Sequence, residues 1–502
     1  MKGIEKKMTE ELVIGLDSST TGTKAIAFDK NGAIAARAHE SIALSSPQPN
    51  YYEQNAKDWW LSAQKVLRKI TKQIKPELIT AIAVSNQRET FVPLGKDGNP
   101  LRPAIIWLDE RCRDEVEFFA QKVGRDKIHQ ITGKPVDYAP VVYRLAWMQK
   151  HEPHLYNRIA MICDVHTYLV WQLTGEFKTS RASADPLGMF DLKNKCWSAD
   201  ILNALQLTEA QLPNTFSPGT AIGYISAEAS KSSGLSPKTK MVAGGGDGQA
   251  AGLGVNALFP ERAYLNLGTA AVAGVYGSEY KTSNAFRTMA SCSDSGYYYE
   301  CSLRAGTFAI DWFIKNILKI NPAKQPDIYQ QLEREAKKTD SGSNGLFFLP
   351  YLNGVMNPYW DARARGAFIR LSSSHQRGHM YRAILEGIAF EQLLALNAVE
   401  KVVGSEVKEL ATIGGGSKSK FWRQIFADIT GKTICLPENT EASALGAGIA
   451  AAVGAGWYRT FRAAAEKMTR VTKEIKPNAQ IHKRYNNIFR VYEKIYPVLN
   501  EI

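Results

Sequence analysis

Asp247 closes an apolar, strand-length run, in Met241-Val-Ala-Gly-Gly-Gly-Asp-Gly-Gln-Ala-Ala-Gly252. The three glycines before it let the backbone turn sharply and let a ligand come close. A carboxylate held on such an elbow, facing a cleft, is suited to take a proton as a general base. Read alone, the same acid serves equally well as a cap for the helix that follows. The small residues Ala250, Ala251 and Gly252 suit a helix packed tightly against a neighbour.

Asp17-Ser-Ser-Thr-Thr-Gly-Thr-Lys24 supplies a second constellation. The hydroxyls of Ser18, Ser19, Thr20, Thr21 and Thr23, the backbone N–H groups and the Lys24 ammonium together suit a concave anion nest. Asp17 is placed to hold Mg²⁺ through water, since that ion favours one or two carboxylates plus phosphate oxygens. An ordinary polar hairpin is the plain alternative. Gly268-Thr269 is a second, weaker turn of the same kind. Gly414-Gly415-Gly416 precedes a helix, where phosphate or a flat ring can approach the helix N-terminus, although a simple strand–helix elbow reads the same way. Ser85-Asn-Gln-Arg-Glu-Thr90 forms a polar cluster in which Arg88 and Glu89 offer hydrogen bonds to a ligand, or only pair at the surface. Trp107 fits either a core or a ligand wall, and Asp109 and Arg111 can satisfy each other.

Positioning these groups requires two similar α/β halves. Leu12 to Leu16 reads as a buried strand, the polar turn follows, and Asn31-Gly32 signals a hairpin. An amphipathic helix is predicted over 56–74. The strand 79–84 ends at the polar cluster, at the edge where open α/β sheets place ligands. The pattern restarts at Ala263-Tyr-Leu-Asn-Leu-Gly-Thr-Ala-Ala-Val272, with helices predicted over 326–338 and 376–402. A strand over 410–413 then runs into the glycine turn and a helix to Thr430, and a last apolar helix starts near Ala442. The expected domains are 9–255 and 256–485, with a C-terminal helix over 486–502. The joint falls at 250–262, and the cleft closes about it.

At 502 residues the chain is long enough for two or three domains with substantial cores. The 44% hydrophobic and 22% charged content is that of a soluble globular protein. No run of about 18 apolar residues marks a membrane span, and the charged start, where Met8 is an alternative to Met1, does not resemble a signal peptide. Six cysteines without paired spacing speak against a disulfide framework or a zinc site and for a reducing cytoplasm. The net charge of +13 is spread along the chain rather than gathered in a block, which fits an anionic small ligand better than nucleic acid.

Taken in order, these motifs resemble the FGGY carbohydrate kinase family over nearly the whole chain. The resemblance extends through Asn50-Tyr-Tyr-Glu-Gln-Asn-Ala-Lys-Asp-Trp-Trp60, Leu101-Arg-Pro-Ala-Ile-Ile-Trp-Leu-Asp-Glu-Arg111, Ile131-Thr-Gly133 and Leu346-Phe-Phe-Leu-Pro-Tyr-Leu352. Both signature regions are recognisable, Pro140 to Trp147 and Gly366 to Glu386, with Arg144 in place of the usual lysine and Arg370 in place of the usual glycine. Ser19 likewise replaces a glycine in the first turn.

The resemblance implies a two-domain, actin-like (ribonuclease H-like) α/β fold with a central cleft. It also implies ATP- and Mg²⁺-dependent phosphorylation of a sugar or polyol hydroxyl. Asp247 would be the general base, and Asp17 the metal-organising acid. Thr20, Thr21, Lys24, Gly268 and Thr269 would face the phosphates, with Gly415, Ser419 and Asp311 around the rest of the nucleotide. Arg88, Glu89, Trp107 and Asp247 would line the sugar pocket. ATP and a small sugar or polyol are the expected partners, without nucleic acid or membrane, and a homodimer is the expected assembly.

Within the family the pattern is similar to the xylulokinase-like branch, which points to a pentulose. The branch's Met-His-Gly and Asp-Asn are replaced by Gln87-Arg88-Glu89 and Asp247-Gly248. The Gln-Arg-Glu cluster resembles glycerol kinase instead, although that enzyme's Asp-Gln is missing and Ala139, next to Tyr138, falls at its substrate-facing tyrosine. Gly248 is expected to enlarge the pocket. Alternatives are a glycerol or other polyol kinase, an actin-like nucleotide switch, and a sugar-binding protein without turnover.

Overall fold

The computed structural model describes residues 10–501. Two mixed sheets are laid out on one plan. In the first, strands β1 (Leu12–Ser18), β2 (Gly22–Phe28), β3 (Ile34–Ser41), β4 (Ile79–Asn86), β5 (Ala221–Tyr224) and β6 (Lys240–Gly246) run in the order β3-β2-β1-β4-β6-β5. In the second, β7 (Arg262–Leu267), β8 (Ala271–Gly277), β9 (Arg287–Ala290), β10 (Tyr297–Leu303), β11 (Glu409–Ile413), β12 (Thr433–Pro437) and β13 (Val471–Ile475) run β9-β10-β8-β7-β11-β12-β13.

Both sheets open with an antiparallel hairpin whose first strand pairs in parallel with a later one. β1 pairs with β2 and β4, and β7 with β8 and β11. The turns Ser19–Thr21 and Gly268–Ala270 therefore hold equivalent places in the two halves. Central strands carry unbroken apolar runs because both faces are covered: β1 is buried throughout. Helix α1 (Ala56–Thr71), capped by Asn55, buries Trp59, Ala63, Val66, Leu67 and Ile70 against the first sheet. Residues between β4 and β5 add a lobe with its own core, including Phe91, Phe119, Tyr143 and Leu145.

The joint between the halves is double. Helix α2 (Asp247–Gly254) leads from β6 into β7, as the glycine elbow predicts. Helix α3 (Ala442–Ala455) then leaves the second sheet and lies on the first, with Ala444, Ala447 and Ala450 packed in one core with Val13, Ala81, Ala83 and Val242. Helix α4 (Phe461–Met468) joins that core before the chain returns as β13. The expected block 256–485 thus misses an excursion onto the other half, and closure about 250–262 alone would leave out this second crossing. Close approach explains the Ala/Gly composition of α2 and α3. A Cβ on Gly446 would lie 1.8 Å from the Ala250 carbonyl oxygen, and one on Gly15 would lie 1.9 Å from that of Ala444. The C-terminal helix also begins earlier than expected, at Ala479, and runs to Tyr492 with a short helix at Ile495–Leu499, so position 486 lies inside it. Among the described residues no helix is long and apolar enough to cross a membrane.

Candidate active site

Asp247 is the first residue of α2, directly beyond β6. The N-cap position belongs to Gly246, which offers no side chain, and one Asp247 oxygen accepts only the neighbouring Gly248 N–H at 2.8 Å. The carboxylate, 42% exposed, opens on the cleft. It is therefore not spent as a helix cap. Surrounding protein raises its pKa; Arg88 opposes that rise, while Glu89 and Glu300 add to it. A base raised above the ordinary carboxylate range takes a proton more readily, provided it stays ionised at working pH.

Asp17 ends the first strand at its cleft edge, and Ser85 on β4 donates to it at 2.9 Å. Burial, and then the nearby Asp247 charge, push Asp17 up to about 7. No cluster of three or more metal-ligating side chains exists among the described residues. A cation here would have to be completed by ligand or water oxygens. One buried carboxylate beside a hydroxyl-rich turn is the donor set of a hard divalent ion.

Arg88 and Glu89 follow β4; Glu89 is buried and Arg88 largely so, rather than paired at the surface. Their closest mutual approach is 4.0 Å. Arg88 Nη1 instead donates to Glu300 at 2.8 Å, and Nε lies 3.3 Å from Asp247. Glu89 accepts from Arg287 at 3.1 Å. Its backbone sits at φ 45°, in the left-handed region that a non-glycine residue enters at a cost. The fully buried Arg144 holds that bend by donating to the carbonyls of Glu89 at 2.6 Å and Ile106 at 2.9 Å. A planar guanidinium can bridge several carbonyls where an ammonium offers a point charge, which gives a reason for arginine in the first signature. Arg370, in the second, has φ 66°, a conformation a glycine would adopt freely.

Gly248 does not enlarge the pocket. A Cβ there would meet the Arg88 guanidinium at 3.1 to 3.2 Å, and one at Gly246 would meet Arg88 Cγ at 2.6 Å. The glycines make room that Arg88 fills, so the expected extra space is taken. Gln87 is turned inward, donating to Gln54 at 2.8 Å and accepting from Thr20 at 3.0 Å. It therefore offers little to a ligand. Trp107 is 37% exposed, and its indole N–H donates to the Thr20 hydroxyl at 2.8 Å. Thr20, expected at the phosphates, thus has its side chain tied into the Trp107–Gln87 network. Asp109 and Arg111 do pair, at 2.7 Å, and the Asp109 carboxylate also accepts the Tyr52 N–H.

Of the residues expected to face the nucleotide, Thr21 and Thr269 are exposed at the two turns and Gly268 is partly so. Lys24 is engaged, its ammonium 2.6 Å from Glu441 just before α3, so it ties the halves together rather than standing free. Gly415 has nothing within 4 Å of a would-be Cβ and leaves open space beside the second sheet. The Ser419 hydroxyl caps the helix Lys420–Thr430 by accepting the Trp422 N–H at 3.0 Å, so its side chain does a structural task. Asp311, on the helix Thr307–Trp312, accepts from Tyr329 at 2.6 Å and keeps 40% exposure.

Sequence reading missed Arg287, Glu300 and Tyr264. Each lies inside a strand rather than in a turn, and only the cross-sheet geometry brings them behind the site. The one signal available was a lone charge within a strand pattern, as at Glu300 in Tyr297-Tyr-Tyr-Glu-Cys301.

The chain is 28% identical to a xylulose kinase of Staphylococcus epidermidis over 501 residues, covering 97% of each protein. Among solved structures it is similar to a gluconate kinase from Lactobacillus acidophilus, with TM-score 0.91 and 26% identity over 97% of this chain and 98% of that one. A ligand-bound xylulose kinase from the same organism gives TM-score 0.90 and 26% identity over 98% of each chain. Residues 12–254 match the N-terminal domain of the FGGY family of carbohydrate kinases and residues 263–455 match its C-terminal domain. With duplicated hairpin turns facing a cleft and an acid on the elbow between them, the chain belongs to the FGGY family of carbohydrate kinases and has its actin-like fold.

Proposed function

We propose that the protein transfers the terminal phosphoryl group of ATP to a hydroxyl of a pentulose such as xylulose, with Asp247 as general base. The observation that carries this reading is the part-exposed Asp247 carboxylate, held 3.3 Å from Arg88 and within electrostatic reach of Asp17, Glu89 and Glu300. Phosphoryl transfer asks for positioning and charge neutralisation rather than covalent help. The turns at Thr21 and Gly268-Thr269 hold the phosphates, and the gap beside Gly415 takes the nucleoside. Asp311, part-exposed on its helix, would lie toward the purine. Asp17 would hold Mg²⁺, which when bound would supply charge neutralisation for the triphosphate. Asp247 accepts the acceptor's hydroxyl proton as the oxygen bonds to phosphorus and the bond to ADP breaks. Cleft closure excludes water and limits wasteful hydrolysis. A reducing cytoplasm suits the six free cysteines.

Three considerations favour a neutral ketose. The xylulose kinases noted above match along their whole length. Three carboxylates, Asp247, Glu89 and Glu300, surround two guanidiniums, Arg88 and Arg287. That balance disfavours an anionic acceptor such as gluconate, whose carboxylate would lack an unpaired cation. The inward-turned Gln87 removes one member of the cluster that suggested glycerol.

The test measures ADP release with and without xylulose, other pentuloses, glycerol and gluconate. Xylulose should give the highest kcat/KM. Glycerol or gluconate ahead by about tenfold, or roughly 1.4 kcal/mol, would overturn the substrate assignment.

A further inference from the structure

Behind the acceptor pocket lie four charges that water cannot reach freely. Glu300 is 0% exposed and Arg287 6% exposed. They face each other across β9 and β10, where Arg287 and Glu300 are register partners. Arg287 donates to Glu300 through Nη2 and to Glu89 through Nη1. Arg88 donates to the other Glu300 oxygen, which also accepts the Tyr264 hydroxyl at 2.7 Å. The result is an alternating ring, Arg88–Glu300–Arg287–Glu89, with two members from the loop after β4 and two from the second sheet.

The strand carrying Arg287 is stapled to the first half at two points along its free edge. Thr288 N–H donates to the Gly133 carbonyl at 2.8 Å, and Ala290 N–H donates to Asp185 at 2.9 Å. Asp185 is itself paired with the buried Lys134. The ring therefore rests on a docked edge. Dehydrating four ions is costly, and apolar residues of similar volume often serve stability as well or better. What a ring of forked guanidiniums supplies is orientation.

Resting on the reading of Arg88, Glu89 and Asp247 as acceptor-side groups, we propose that Glu300 and Arg287 are positioning residues of the acceptor site. From the second half they hold the Arg88 guanidinium beside Asp247 and fix the Glu89 carboxylate. The acceptor site is thereby assembled before nucleotide arrives.

Glu300→Gln is the probe, because its amide oxygen can still accept from Tyr264 while the charge is lost. It is measured alone and with Arg88→Gln, using whichever acceptor wild type phosphorylates best. A wrong sugar assignment therefore leaves this test intact. We expect Glu300→Gln to lower kcat/KM for the acceptor about tenfold or more and to weaken acceptor binding without nucleotide. The KM for ATP should stay within about twofold. In the Arg88→Gln background the same substitution should cost less than about twofold, because Glu300 acts through Arg88. Additive losses, or an equal rise in the KM for ATP, would overturn the proposal and leave Glu300 a general structural residue. Should Glu300→Gln fail to fold, Arg287→Lys, which keeps the charge and loses the two-carboxylate fork, enters the same kind of cycle with Glu89→Gln, the group it holds directly, with the same two outcomes.

Discussion

Replacing Arg88 by glutamine tests both the acceptor-site chemistry and its electrostatics. Arg88 is 11% exposed and serves Glu300 at 2.8 Å and Asp247 at 3.3 Å. Charge-assisted hydrogen bonds contribute about 1.5–3 kcal/mol each. Loss of the contact to the acceptor and of the hold on Asp247 should cost about 2 kcal/mol or more in transition-state stabilisation, roughly thirtyfold in kcat/KM. Stability should fall as well, because Glu300 keeps Arg287 and Tyr264 but loses one counter-charge. That loss should come to about 2–3 kcal/mol, below the 3–5 kcal/mol of a fully orphaned buried charge. The pH dependence carries a sign. Arg88 lowers the Asp247 pKa, so its removal raises that pKa, and the base must be ionised to act. The acid limb of kcat/KM should therefore move to higher pH, while the KM for ATP changes by less than about twofold. A coupled ADP-release assay across pH, with a denaturant titration beside it, measures all three. An acid limb that stays in place or moves down would refute the view that Arg88 tunes Asp247.

Asp247→Asn should reduce turnover by about 10²–10⁴-fold with the melting transition little changed; more than half of the wild-type rate would remove Asp247 from its role. Gly415→Val should raise the KM for ATP and leave stability and acceptor affinity alone, since the added side chain enters open space; an unchanged KM would move the nucleoside elsewhere. Glu391, buried among Tyr351 and Tyr492, is raised by burial to about 7. Its folded state therefore binds a proton that the unfolded chain releases near 4.5. Stability from this group is present at low pH and is lost as pH rises toward 7, by at most about 3 kcal/mol. Glu391→Gln should flatten that fall between about pH 4.5 and pH 7 in thermal melts, and a slope equal to wild type would contradict the shift.

Much of the fold was legible because it rests on local rules. Apolar runs marked β1, β4 and β11, Asn31-Gly32 marked the first hairpin, and the glycines before Asp247 and after Ile413 marked the elbows. The repeat of strand, polar turn and strand at Ala263 foretold the equivalent places of the two turns. Asp247, Asp17, Gly268, Thr269 and Gly415 were legible as residues at or next to a strand end or in a turn, whereas Trp107, open between core and ligand wall in the sequence, is 37% exposed. The excursion of α3 onto the first sheet was not legible, since an Ala/Gly helix has no single apolar face to declare its partner.

Side-chain pairing likewise required the tertiary structure. The sequence places Arg88 beside Glu89 and leaves Gly248 as apparent empty space. Only the docking of β9 and β10 supplies Arg287 and Glu300, draws the two neighbours apart into separate ion pairs, and turns Arg88 over Gly248. Residue order determines which groups a turn can offer. Which partner each buried charge finds is set by groups some 200 residues away, because ions taken from water must be paired by whatever the fold brings into reach.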